Sequence, residues 1–156
     1  MRDIYVVGDA NVDIIVPYPR FLNEERTLVD YPNPELVGGG TSANTAVALS
    51  KLGLPVSFLG TIGDDQYGKY IQKDFKEQGV NTADLIVDPK LNTVGVFAFI
   101  DENGERYLWG WPRVDQAFKV LERDKVPFEK IEAADWVHSS GMSLVYDTSA
   151  RTEIIE

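Results

Sequence analysis

Hydrophobic and polar positions along this chain switch between the period of a strand and the period of a helix. Ile4 to Val7 is a short apolar run stopped by Gly8, the pattern of a strand buried on both faces. Asn11-Val12-Asp13-Ile14-Ile15-Val16 alternates, so Val12, Ile14 and Val16 share one face of a strand and Asn11 and Asp13 the other. Pro17 and Pro19 end that element. From Ala43 to Leu52 the period lengthens. Ala43, Ala46, Val47 and Leu52 form the apolar side of a helix, with Thr41 or Ser42 as its N-cap and Gly53 just past its end. Val56-Ser57-Phe58-Leu59 reads as a strand. A second helix opens at Asp64-Asp65, where its dipole favours acids, buries Tyr67, Tyr70, Ile71 and Phe75, and closes at Gly79. Val94 to Ile100 is an apolar strand, and Asn103-Gly104 predicts a two-residue hairpin turn. The return strand carries Tyr107, Trp109 and Trp111 on one face. A short helix from Phe128 to Ala133 and a strand Trp136-Val137-His138-Ser139 follow.

Strands alternating with helices predict an α/β fold with a largely parallel sheet. There is no internal repeat and no low-complexity tract. Asp147-Thr148-Ser149 reads as another helix start, yet Arg151 to Glu156 carries no stop signal. The fold is therefore expected to continue past Glu156.

Composition narrows the choice of function. A chain of 156 residues, 44% hydrophobic and 26% charged, describes one ordinary globular domain. Its net charge of -10 argues against nucleic acid or an anionic membrane as a partner, since both want a basic face. With no cysteine it has neither a disulfide framework nor a thiolate metal site. His138 stands alone and reads as a structural strand residue. No apolar run approaches a membrane span and the N-terminus does not open a signal peptide, so a cytoplasmic protein is expected.

The candidate chemistry sits at Gly38-Gly39-Gly40-Thr41-Ser42-Ala43-Asn44, read as a glycine-rich turn feeding a helix. Glycines let a ligand approach the backbone, and a helix N-terminus offers free N–H donors beside them. The stretch also fits a loose dinucleotide fingerprint, but that motif belongs after the first strand, which here is Ile4 to Val7. Asp64 and Asp65 read as capping residues. Tyr107, Trp109 and Trp111 suit either sugar stacking or an apolar lid or dimer contact. Arg113 follows the aromatic strand, where an acidic sugar's carboxylate is one partner for it, but a solvated loop arginine is the favoured reading.

Taken in order, Gly8-Asp9 with Asn11 and Asp13, the run Gly39 to Ala46 with Gly53 and Gly63, the segment Gly63-Asp64-Asp65-Gln66-Tyr67-Gly68, and the hairpin Thr93 to Trp111 resemble the N-terminal half of a ribokinase-type (PfkB) carbohydrate kinase. Ser42 departs from that family's pattern, which tends to have Gly, Ala or Pro there. The resemblance implies a ribokinase-like fold, a mostly parallel sheet flanked by helices with a small β lid formed by segments around 11–37 and 94–112. It implies that Asn11, Asp13, Gly39, Gly40, Asn44 and Phe99 bind the sugar, the last as a lid residue. It also implies ATP and Mg as cofactors, held mainly outside residues 1–156, and a homodimer formed through the lid. The family's second signature, a glycine-rich loop with a catalytic Asp, has no match here, so no catalytic residue is assigned and the chain alone is expected to be inactive. A non-catalytic sugar-binding or regulatory module is the alternative. Gly141 falls near where ribokinases themselves carry an acidic sugar contact, which disfavours ribose.

Overall fold

Ile4–Val7 (β1) forms the centre of a parallel three-stranded sheet, flanked by Val56–Leu59 (β4) on one side and Trp136–Ser139 (β9) on the other. The computed structural model describes residues 3–17, 33–145, 150 and 154. All four β1 residues are buried. Ile4 and Val6 face one core with Val56, Phe58, Ile71 and Phe75, and Tyr5 and Val7 face a second with Leu59, Leu121, Val126 and Ile131. Two-sided burial explains why β1 is a continuous apolar run rather than an alternating one. At the sheet's other margin, Trp136 stays 67% exposed on β9, which pairs only with β1 among the described strands.

A second sheet stands beside the first. Asn11–Pro17 (β2) lies between Glu35–Gly39 (β3), antiparallel to it, and Gly95–Ile100 (β7), parallel to it. Arg106–Trp111 (β8) completes the four strands, antiparallel to β7. The loop between β7 and β8 differs from the sequence expectation. Asp101 and Glu105 still pair across it, so the turn spans three residues, Glu102 to Gly104, and the Asp101 side chain accepts the Asn103 and Glu105 N–H groups. An aspartate able to bond two downstream amides stabilises the wider turn.

Thr41–Lys51 (α1) packs Ala43 and Ala46 onto the first core. Leu52 does not join them: it is the residue after the last turn and is 77% exposed. Thr61–Gly63 (β5) and Ile86–Asp88 (β6), two short parallel strands, were not expected from the sequence. Gln66–Glu77 (α2) is capped by Asp65, whose carboxylate accepts the Gly68 N–H at 2.8 Å and the Thr93 N–H at 2.7 Å. One side chain thus starts a helix and ties it to the entrance of β7. Ile71 and Phe75 are buried as expected, with Tyr67 and Tyr70 partly so. Two single-turn segments, Ala117–Lys119 and Arg123–Lys125, precede Phe128–Glu132 (α3), and Gly141–Leu144 (α4) follows β9. The lid span 18–32, Pro19 and the helix start at Asp147-Thr148-Ser149 lie outside the described residues.

Candidate functional site

The stretch read as a glycine-rich turn is mostly strand. Gly38 and Gly39 close β3, and only Gly40 makes the turn into α1. Gly40 has φ 102 and ψ 136, a backbone conformation that only glycine adopts at ease. Neither Thr41 nor Ser42 caps the helix; Asp9 does so from the end of β1. Its carboxylate accepts the Thr41 N–H at 2.7 Å and the Ser42 N–H at 3.1 Å, and its backbone carbonyl accepts the Ala43 N–H at 3.1 Å. Gly40 brings α1 in at the angle that makes this possible. A Cβ there would stand 2.7 Å from the Asp9 carbonyl oxygen.

This arrangement decides what the helix N-terminus can bind. A pyrophosphate needs free N–H donors and a positive helix end. Here the first three donors belong to Asp9, and a buried carboxylate already sits where the anion would go. The dinucleotide reading fails on that geometry. Ser42 fits the same cluster: its hydroxyl lies 2.9 Å from Ser140 Oγ, and Ser140 donates to Asp9 Oδ1 at 3.0 Å. The departure from the family pattern thus joins α1 to the end of β9.

Asn11 and Asp13 project from one face of β2, as their spacing requires. Asn11 Nδ2 donates to Asp13 Oδ1 at 2.8 Å. Burial pushes the Asp13 carboxyl above its ordinary range, while the Asn11 hydrogen bond and the Arg106 charge pull the other way. Gly39, paired with Asn11 across the ladder, leaves room for that carboxylate: a Cβ on it would lie 2.6 Å from Asp13 Cγ. Asn44, in the first turn of α1, lines a cavity of about 310 Å³ together with Asn11 and Gly39. A second cavity of about 360 Å³ lies on the other side of Asn11 and is also bounded by Asp9, Arg113, Gln116 and Lys119. Asn11 is the wall common to both.

Phe99 does not join this group. It pairs with Val16, whereas Asp13 pairs with Val96, so Phe99 stands on the opposite face of the sheet. Phe97, Trp109 and Trp111 are in successive ring contact on Phe99's face, and Tyr107 pairs with Phe99 there. The aromatic strand therefore turns away from Asn11 and Asp13, and sugar stacking by Tyr107, Trp109 or Trp111 loses its support.

Sequence reasoning missed Asp9 as a site residue, although Gly8-Asp9 directly after β1 carried the signal. Arg113 is exposed, as a solvated loop residue would be, and also borders a cavity. Gln116 and Lys119 had no sequence signal, because the distant Asn92 brings them in: its N–H donates to Asp115 O at 2.7 Å, and its carbonyl accepts the Ala117 N–H at 2.9 Å. Among the described residues no group of three or more His, Asp or Glu is assembled to hold a metal ion. No helix among them is long and apolar enough to cross a membrane.

A three-stranded parallel sheet and a four-stranded side sheet, with polar-lined cavities beside Asn11, define an α/β protein. The chain belongs to the pfkB family of carbohydrate kinases, which it matches over residues 1–156. It is similar to a fructokinase of Vibrio alginolyticus, 34% identical over 151 residues that cover 96% of this chain and 44% of the relative. It is likewise similar to a 5-dehydro-2-deoxygluconokinase of Bacillus subtilis, 37% identical over 149 residues, covering 94% of this chain and 44% of the relative. A solved structure of a fructokinase with bound ATP from Xylella fastidiosa superimposes with a TM-score of 0.73 at 25% identity, covering 88% of this chain and 41% of that one. The fold is ribokinase-like. The chain spans less than half the length of the relatives it matches.

Proposed function

We propose that this chain is the sugar-binding portion of an ATP-dependent carbohydrate kinase, which transfers the γ-phosphoryl group of ATP to a sugar hydroxyl. Asn11, Asp13, Gly39, Gly40 and Asn44 hold the sugar. The observation that carries this reading is the half-buried Asp13 carboxylate, oriented by Asn11 and given space by a glycine. A carboxylate accepts hydrogen bonds from neighbouring hydroxyls, and Asn11 and Asn44 both donate and accept. Buried polar groups left unmatched by a ligand discriminate strongly against it. The relatives' names include a fructokinase and a 5-dehydro-2-deoxygluconokinase, which supports a sugar or sugar acid as acceptor.

The phosphoryl donor ATP, with Mg²⁺ at its phosphates, is assigned to the part of the relatives' length that this chain does not span. Residues 1–156 alone are accordingly inactive. The sheet of β3, β2, β7 and β8 acts as a lid over the sugar, and its aromatic face pairs with a second copy. The test is a phosphoryl-transfer assay of the full-length gene product with ATP across neutral ketoses, aldoses, sugar acids and nucleosides. Transfer to one of these, lost in Asp13→Ala, supports the reading. Sugar binding without transfer would instead favour a regulatory module.

A further inference from the structure

Both feet of the β7–β8 hairpin are held by two consecutive residues, Asn92 and Thr93. Thr93, 2% exposed, ties the first foot to the core. Its N–H donates to Asp65 Oδ2 at 2.7 Å, and its hydroxyl oxygen accepts the Gly63 N–H at 2.8 Å. The knot around it leaves no slack. A Cβ on Gly63 would stand 2.6 Å from Asp65 Oδ2 and 3.0 Å from Thr93 N, and one on Gly68 would overlap the Gly63 carbonyl oxygen. The next residue carries the constraint toward the site: Val94 O accepts the Val12 N–H at 3.0 Å, and Asn11 and Asp13 flank Val12. Ladder bonds between β2 and β7 alone tolerate a wide range of twist. Thr93 removes that freedom at the root of the strand.

Asn92 holds the second foot. Besides its backbone bonds to Asp115 and Ala117, its Nδ2 donates to Val114 O at 3.2 Å. Gln116 Nε2 closes the same loop onto Pro112 O at 2.7 Å. Asp115 is held at φ 48, a left-handed conformation that a non-glycine residue keeps only where its surroundings over-determine it. The cavity of about 360 Å³ lies between what these feet carry and what they do not. Val94, Val96, Gly110 and Gln116 wall one side, and Asp9 and Asn11 the other.

We propose that Thr93 is a positioning residue for the acceptor site. It fixes the strand that walls the cavity against Asn11 and Asp13, and Asn92 fixes the loop returning from β8 in the same frame. This deepens the sugar-binding reading and rests on it. Neither residue lines either cavity, so both act through the residues they hold. Misplacing a binding group by about 1 Å costs on the order of 100-fold even when the cause is remote.

The experiment measures kcat, acceptor KM and ATP KM of the full-length gene product for the parent, Thr93→Val, Thr93→Ser and Asn92→Ala. Fructose, ribose, 5-dehydro-2-deoxygluconate and adenosine are tried in turn, and the variants are compared on whichever turns over fastest. Thr93→Val keeps the side chain's shape but leaves the buried Gly63 N–H without its acceptor. It should lower kcat/KM for the acceptor about 10–100-fold, chiefly through acceptor KM, with ATP KM within about twofold of the parent's. Thr93→Ser keeps the hydroxyl and recovers most of that loss. Asn92→Ala removes one hydrogen bond and should raise acceptor KM about threefold, which decides the matter if Thr93→Val does not fold. A lower melting temperature with acceptor KM unmoved, or both KM values rising together, makes the knot structural only. Either result overturns the inference and leaves the kinase reading intact. If none of the four is phosphorylated, the kinase reading fails and calorimetry with the same compounds decides the inference. Binding weakened in Thr93→Val supports it; binding unweakened there, or absent from the parent, overturns it.

Discussion

Two adjacent glycines do different work at the residue scale, and substitution separates them. At Gly39 the obstacle to a methyl group is the Asp13 carboxylate, the movable end of a side chain. Gly39→Ala should therefore displace Asp13 and break its bond to Asn11, raising KM for the acceptor at least about tenfold while lowering stability by only about 1–2 kcal/mol. At Gly40 the obstacle is the backbone oxygen of Asp9, and φ is already positive. Gly40→Ala should be the worse folder of the two; urea melts beside kinetics read both effects. Asp13 itself carries a conflict. Burial raises its carboxyl above the ordinary value of 3.8, so ionising it works against the fold. That favourable protonated contribution is complete below the unfolded value of about 3.8 and is lost as pH rises through the raised folded value. Asp13→Asn keeps the acceptor for Asn11 and has no proton to lose. It should melt with the parent at the acid end and above it at neutral pH, while acceptor affinity falls about 100-fold or more. A neutral-pH melt no higher than the parent's would contradict the burial argument.

Elements were legible in the sequence to the extent that their period was set by burial. β1 and β4 fall where the apolar runs placed them, because all four residues of each are buried; β9 also falls where expected, although Trp136 and Val137 are exposed. β3 was hidden by its own glycines, which read as turn residues although the ladder with β2 extends through Gly39. β5 and β6, three residues each, are too short to show a period. The cap of α1 was misplaced for a physical reason: local spacing finds caps near in sequence, and Asp9 lies 32 residues before Thr41. Asp9→Ala removes that remote cap and leaves the buried Ser42 N–H without its acceptor. The expected loss is about 1–3 kcal/mol, visible as a lower urea midpoint with an unchanged m-value. Asp9→Asn should recover much of it, since an amide oxygen still accepts. If Asp9→Ala proved neutral, the helix would be held by its packing alone.

At the scale of the whole molecule, the two faces of the side sheet divide the labour. One face carries Asn11 and Asp13, and Asn11 lines both cavities. The other carries Phe97, Phe99, Tyr107, Trp109 and Trp111, with Tyr107 61%, Trp109 51% and Trp111 53% exposed. The alternation along β8 was plain from the sequence, but which of its faces lies on the side of Asn11 and Asp13 was not. That depended on the register of β7 against β2, a pairing between residues about eighty positions apart. Aromatic rings in mutual contact and half open to water are the composition of an interface rather than of a solvated surface. On the lid-dimer proposal, Trp109→Glu places a charge at the middle of that face, between Phe97 and Trp111. Burying an unpaired carboxylate there is strongly unfavourable, so the dimer should dissociate at micromolar concentration in sedimentation velocity runs. Because the face points away from Asn11 and Asp13, acceptor binding should survive to the extent that a single lid keeps its own shape. A parent protein that sediments as a monomer across that range would remove the dimer, and the aromatic face would then have to be explained within one copy.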